Sequence, residues 1–295
     1  MTAEELEGRM ALIAGTSCCH MLSSVEPVFV PGVWGPYYSA MLPGMFLNEG
    51  GQSTAGKLLD HVTEGHKAYP ELLDRMAKLN IKSPYDALNA FLVEEMAPAR
   101  NIAPRKVGLL TKDLHVTPDF FGNRSPLADP DMAGAVVGLR LSSGLEDLAL
   151  LYLATVQALA YQTKHIIESC VEAGHAPITS IFVTGGLVKN PLYLQAHADV
   201  TGCPLEVPSE PEAVLLGAAV LGARAGGTFA DIPSAMASMN KADAAARVLP
   251  YHMECDPDEC DISIDSFHGC KYSIFRRMSD DQLAYRGIME CACID

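Results

Sequence analysis

From Gly51 the sequence reads Gly, four residues, Gly56, Lys57, which is the spacing of a phosphate-binding P-loop. A working loop of that kind directly follows a strand and places a Ser or Thr after the lysine to hold magnesium. Here Leu58 stands in the hydroxyl position, "GMFLNEG" is a weak strand pattern, and no apolar strand ending in Asp offers a second magnesium carboxylate. Lys57 is therefore read as a helix residue. What survives is Gly50 and Gly51 ahead of a helix N-terminus, either an anion nest of backbone amides or a tight turn that packs the helix. Two similar sites exist. "IAGTSCCH" sets Gly15, Thr16 and Ser17 at a strand end, and "VTGGLVKN" does the same with Gly185 and Gly186. Exposed amides and hydroxyls there can meet phosphate oxygens, and bare glycines let a flat ring approach the backbone. Ligands of open α/β sheets gather at such strand ends.

Other residues with chemistry to offer read differently. Cys18, Cys19 and His20 are adjacent on an extended chain, so their side chains alternate between faces and make no catalytic set. Cys255, Cys260, Cys270, Cys291 and Cys293, with His252 and His268, lack the paired CxxC spacing of zinc folds, and no residue is assigned to a metal. Asp119, Asn123, Arg124, Asp129 and Asp131 share one loop. The cluster suits a hydroxyl-rich ligand, and equally suits turn chemistry, since Asp-Pro and Gly-Asn are turn dipeptides.

The whole chain bounds these options. Its 295 residues suffice for one large domain or two small ones. A net charge of −15 excludes a nucleic-acid surface and adhesion to anionic membranes. It leaves room for a small phosphorylated ligand, because local amides outweigh the global field. No long apolar run suggests a membrane span, and the acidic opening "MTAEELEG" is the reverse of a secretory signal, so a cytoplasmic protein is expected. Nine cysteines, an odd number, fit reduced thiols.

The elements that must position these residues alternate in type. "RMALIAGTS" and "TSIFVTGG" read as buried strands, "AGAVVGL" and "CPLEVP" as shorter ones, and "EPVFVPGVWGPYYSAMLPG" as short strands and turns. A helix is expected after Gly51, capped by Ser53 or Thr54, with Ala55, Leu58, Leu59 and Val62 on one face. Others are expected after Pro84, from Leu145 to Ala173, over "KNPLYLQAHADVTG", and over the small-residue stretch "EPEAVLLGAAVLGARAGG". Strands alternating with helices indicate an α/β layered fold. From about Tyr251 the chain turns acidic and Cys-rich, with a last amphipathic helix near Asp280 to Met289. The expected division is a lobe over 1–250 and a terminal segment over 251–295.

Five stretches, "ALIAGTSCCHM", "VPGVWGPYYSAMLPGMFLNEGGQSTAGKLLDH", "DFFGNRSPLADPDMAGAVVGL", "FVTGGLVKNPLYLQAHADVTGCPLEV" and "EAVLLGAAVLGA", occur in the order found in FGGY carbohydrate kinases. From about Arg9 to Pro250 the chain resembles that family, most of all its D-ribulokinase-like branch, and weaker pieces ("KYSIF", "AYRGIM") continue beyond. The resemblance implies an RNase-H-like lobe of the actin-like ATPase type, with a mixed central sheet flanked by helices. It implies ATP and Mg2+ as cofactors and a pentulose substrate, D-ribulose first. Phosphoryl transfer in such enzymes is positioning and charge stabilisation plus a carboxylate base. By resemblance, Gly15 and Thr16 fall on the second phosphate motif, Gly51 on a glycine lining the nucleotide, and Gly185, Gly186 and Asn190 on the adenosine motif. Asn123 and Arg124 fall on a signature loop at the interlobe cleft.

In the family the first phosphate loop (Asp-x-Gly-Thr), most sugar contacts and the catalytic Asp precede the segment matching "ALIAGTS". Here about ten residues precede it and none is Asp. The chain is therefore expected to be the C-terminal half of a sugar kinase, partnered by an N-terminal kinase lobe. It is expected to bind nucleotide weakly and not to turn over alone, and no residue in it is assigned as the base. The rival expectation is a catalytically dead nucleotide-binding or regulatory module that pairs with another chain. A homo-oligomer fits either reading.

Overall fold

Strand β1 (Arg9–Ala14) is built from an apolar run in which Met10, Leu12 and Ala14 are wholly buried. It turns at Gly15 into β2 (Cys18–Ser24), whose Cys18, His20 and Leu22 point to the same buried side. The computed structural model describes residues 6–210, 212–240, 246–254 and 263–292. β3 (Trp34–Tyr38) and β4 (Phe46–Gln52) complete an antiparallel half-sheet, and β7 (Ser180–Thr184), β8 (Leu205–Val207) and β9 (Ala246–Val248) form the other half. The order is β3-β4-β2-β1-β7-β8-β9, with β1, β7 and β8 parallel and β2 antiparallel to β1. This mixed sheet with its flanking helices is the expected layered α/β architecture. β5 (His115–Thr117) and β6 (Ala135–Val137) pair separately.

Helix α1 (Gly56–Glu64) follows β4 and buries Leu58, Leu59 and Val62. α2 (Tyr69–Leu79) was not legible as a helix, while α3 (Pro84–Ala90) starts at the expected proline and continues through a π-helical stretch, Phe91–Met96. The long helix α4 (Leu145–Glu172) lies across the face of β2 and β4: Gln52 Nε2 donates to Leu159 O at 2.7 Å, and His20 Nε2 meets Thr163 Oγ1 at 2.9 Å. Its fully buried Leu148 and Leu159 each contribute about 1.5–3 kcal/mol by leaving water. α5 (Pro191–Thr201) packs beside it, and α6 (Ala213–Ala225), the small-residue helix, buries only Val220. α7 (Ile232–Met239) packs on α6.

The last helix corrects an expectation. α8 runs from Ser263 to Ala292 rather than from about Asp280 to Met289. Its buried face repeats at helical spacing through Ile264, His268, Lys271, Phe275 and Met278. Polar members of that stripe hid the amphipathic pattern. His268 Nδ1 meets Tyr161 OH at 2.8 Å, and Lys271 Nζ donates to the carbonyls of Thr111 and Leu114. Of the cysteines weighed for zinc and not assigned to it, Cys270 and Cys291 are exposed on this helix, while Cys255, Cys260 and Cys293 lie outside the described residues. No helix among the described residues is long and apolar enough to cross a membrane.

Candidate functional site

The β1–β2 turn is closed by Gly15 N–H donating to Ser17 O at 3.0 Å, and it leaves Thr16 exposed. Its carbonyls face α1. Thr16 O accepts from Ala55 N at 2.8 Å and Lys57 N at 3.2 Å, and Gly15 O accepts from Gly56 N at 3.0 Å. A Cβ on Gly56 would lie 2.8 Å from Gly15 O, so glycine is what lets helix and turn close. The first amides of α1 are therefore satisfied by the turn itself. Of the two readings left open, an anion nest or a turn that packs the helix, these contacts favour the packed turn. Gly50 and Gly51 lie inside β4, not at a helix start, and the N-cap is Ala55 rather than Ser53 or Thr54. Lys57 is exposed and Leu58 buried, as helix residues.

The second wall stands beside the first. β1 and β7 run parallel with Ile13 opposite Thr184, so Gly15 and Gly185 leave the carboxyl ends of adjacent strands. Gly185 has φ +102°, and a Cβ there would lie 2.4 Å from Ala14 O. Gly186 is exposed, with nothing within 4 Å of an added Cβ. The loop ends at Asn190, which is 3% exposed and caps α5 through Tyr193 N at 3.3 Å. Asn190 Nδ2 donates to Tyr152 OH at 2.7 Å, and its Oδ1 accepts from Asn89 Nδ2 at 3.0 Å. Its side chain thus anchors the loop from behind.

Gly51 occupies the same sheet end one row below, in line with Cys19, Ile13 and Thr184. A Cβ on it would be 2.8 Å from Arg124 Cζ, so the missing side chain seats the guanidinium against the strand. Arg124 donates to Glu49 Oε1 at 2.5 Å, approaches Cys19 Sγ at 3.5 Å and lies 4.7 Å from the Trp34 ring centre. Trp34 is 56% exposed, so the cluster presents an aromatic face beside a carboxylate and a guanidinium. Glu49 and Trp34 escaped the sequence reading. The signal was available for Glu49, because in a strand it shares a face with Gly51.

Asn123, by contrast, is buried. Its Nδ2 donates to Asp119 Oδ1 at 2.8 Å and its Oδ1 accepts from Leu127 N at 3.0 Å, which shapes the loop. Asp119 also accepts from Gln162 Nε2 at 2.9 Å, while its Oδ2 has no hydrogen-bond partner. Burial pushes the Asp119 carboxyl up to about 6 against the pull of these two donors. At 1% exposure it is sealed from any substrate. Asp129 ties the loop to α8 through a paired contact with Arg286.

Gly15, Thr16, Gly185 and Gly186 therefore converge at the ends of β1 and β7. Gly51 and Arg124 sit together on the adjoining strands, with Asn190 and Asn123 behind the surface. Among the described residues no three His, Cys, Asp or Glu side chains are grouped to hold a metal.

Comparison with known proteins bears on this arrangement. The model of the FGGY family of carbohydrate kinases, C-terminal domain, matches residues 10–226. The FGGY carbohydrate kinase domain-containing protein of Homo sapiens is 49% identical over 97% of this chain and 48% of its own length. A D-ribulokinase of Saccharomyces cerevisiae is 43% identical over 75% of this chain and 30% of its own length. The chain spans about half the length of the first curated relatives it matches. Among solved structures, a xylulose kinase from Rhodospirillum rubrum superposes with a TM-score of 0.68 at 19% identity, over 96% of this chain and 50% of that one. At that identity the likeness speaks for the fold.

Proposed function

This chain belongs to the FGGY family of carbohydrate kinases, through that family's C-terminal domain, and we propose that it is the nucleotide-binding lobe of a kinase for a pentulose, D-ribulose first. The observation that carries the reading is the pairing of Gly15 and Gly185 at adjacent parallel strand ends, with Thr16 and Gly186 turned to solvent. A crevice outside the carboxyl ends of parallel strands is where α/β sheets hold phosphorylated ligands. ATP would lay its phosphates on the Gly15–Thr16 turn and its adenosine along Gly185–Gly186, with Asn190 holding that loop in place. Bound with the nucleotide at this turn, Mg2+ would supply offsetting charge for phosphoryl transfer. Arg124, backed by Glu49 and Trp34 over Gly51, would face the sugar across the interlobe cleft. The D-ribulokinase relative supports the choice of sugar. We assign residues 1–250 to the lobe and 251–295 to a segment that braces it through α8, and an N-terminal kinase lobe is the partner the reading requires.

As a 295-residue polypeptide the lobe is expected to bind nucleotide without turning over. Glu49 is committed to Arg124 and Asp119 is sealed, so neither can act as a base on an incoming hydroxyl. A coupled assay with ATP, Mg2+ and D-ribulose on this polypeptide is expected to show no phosphorylation above a protein-free blank. Robust turnover would instead show that a base within this chain reaches the substrate.

A further inference from the structure

We propose that Tyr85 is a positioning residue that, beyond the register of β1 and β7, braces the spacing between the Gly15–Thr16 turn and the Gly185–Asn190 loop, and so tunes affinity for a nucleoside triphosphate that must engage both. The inference rests on the nucleotide-binding reading above.

Tyr85 lies in the first turn of α3, half-buried between the two walls. Its hydroxyl proton is shared between Asp60 Oδ1 at 2.5 Å and Gly56 O at 3.2 Å. Gly56 is the residue whose amide holds Gly15 O at 3.0 Å, so the phenol is one residue removed from the turn. On its other side the ring stacks on Tyr152, with centres 5.7 Å apart and planes inclined by 19°. Tyr152 belongs to a closed cycle. Tyr152 OH donates to Asn89 Oδ1 at 3.0 Å, Asn89 Nδ2 donates to Asn190 Oδ1 at 3.0 Å, and Asn190 Nδ2 donates to Tyr152 OH at 2.7 Å. In that cycle each side chain donates once and accepts once, and all three residues are buried, so rotating any one strands two others. Asn190 closes the glycine loop through its own amide, which donates to Leu187 O at 3.0 Å.

One contact chain therefore runs from Gly15 through Gly56, Tyr85, Tyr152 and Asn190 to the loop bearing Gly185 and Gly186. Within it Tyr85 couples α1 to α3 through one hydroxyl, set on the Asp60 carboxylate and Gly56 O. Burial and the Asp60 carboxylate both hold the phenol protonated, so it remains a donor across the physiological range. A ligand that touches one wall gains nothing from correct spacing. A ligand that spans both binds as a chelate, whose advantage decays as the spacing loosens.

The test measures dissociation constants of ATP, tripolyphosphate and adenosine for the 295-residue chain and for Tyr85→Phe, which keeps the stack and deletes the hydroxyl. ATP affinity is expected to fall about tenfold as the chelate spacing loosens. Affinities for tripolyphosphate and adenosine are expected to change by less than about twofold, since each needs one wall. Amide exchange is expected to quicken at both 15–17 and 186–190. Asp60→Asn, which keeps an acceptor without the charge, is expected to fall between wild type and Tyr85→Phe, and serves if the Phe variant folds poorly. Unchanged ATP affinity in a chain whose wild type binds ATP would overturn the coupling and leave the nucleotide reading standing. Equal weakening of all three ligands would also overturn it, placing Tyr85 within one wall. A wild-type chain that binds none of them would sink the reading and the inference together.

Discussion

Gly185→Ala is expected to cost about 3 kcal/mol or more of folding stability, read as a lowered midpoint in urea with an unchanged slope. The residue holds φ +102°, where an L side chain is strained, and the new Cβ would stand 2.4 Å from Ala14 O and 2.8 Å from its carbonyl carbon. Both neighbours are backbone atoms of β1, so no side-chain rotation relieves the contact. Relief would require the ends of β1 and β7 to part, and that register aligns the two proposed ligand walls. Gly186→Ala is the matched control. Its Cβ meets open space, so its stability is expected to stay within about 0.5 kcal/mol of wild type. A loss below about 1 kcal/mol at Gly185 would mean that the loop adopts another path at little cost, and that the strand ends are less rigidly coupled than the contacts indicate.

The second large effect is a pH dependence centred on Lys271. Its ammonium is 4% exposed and is held by Thr111 O at 2.7 Å, Leu114 O at 2.8 Å, Thr111 Oγ1 at 2.9 Å and Gln157 Oε1 at 3.1 Å. No carboxylate is among these acceptors, and Asp113 assists only from a distance. Burial therefore pulls the lysine from 10.5 down to about 7. Because the folded value lies below the unfolded one, the folded state binds fewer protons between about pH 7 and 10.5, and stability rises with pH across that window. Below about pH 7 the full cost of the buried charge is present. The neighbouring His115 and His268 are both held neutral by burial first and by Lys271 second, so they add no opposing slope above pH 7. Relative to Lys271→Met, wild type is expected to gain about 2 kcal/mol between pH 7 and 9. Parallel stability curves for the two proteins would show that the ammonium keeps an ordinary affinity for its proton.

Much of the fold is legible in the sequence where local pattern and tertiary environment agree. β1 and β7 are continuous apolar runs that end on glycine, and both sit at the centre of the sheet as such runs require. α4 starts at the expected residue, Leu145, and ends one residue short of the expected Ala173. The glycines at 15 and 185 were recognisable as strand ends, but only the parallel register of β1 and β7 shows that they leave neighbouring strands side by side. β4 was obscured because Asn48, Glu49, Gly50, Gly51 and Gln52 are poor strand formers. Pairing with β2 imposes the strand, and each glycine admits a neighbour, Ile166 at Gly50 and Arg124 at Gly51. The Trp34–Glu49–Arg124 cluster joins residues far apart in the chain, which no local pattern encodes. The first half of α8 was missed for the opposite reason. Its buried stripe contains His268 and Lys271, whose partners on Tyr161 and near Thr111 make burial tolerable only in the folded chain.

The central claim, that the ends of β1 and β7 hold ATP, is tested most directly by titrating ATP with Mg2+ into the wild-type chain and into Gly186→Leu. Gly186 is exposed with an unobstructed Cβ direction, so leucine fills the proposed adenosine wall without disturbing the core. Saturable binding by wild type is predicted, weakened at least about tenfold in Gly186→Leu as the ring's contact surface is lost, with the unfolding midpoint unchanged. Binding that is absent in wild type, or equally tight in both proteins, would contradict the account.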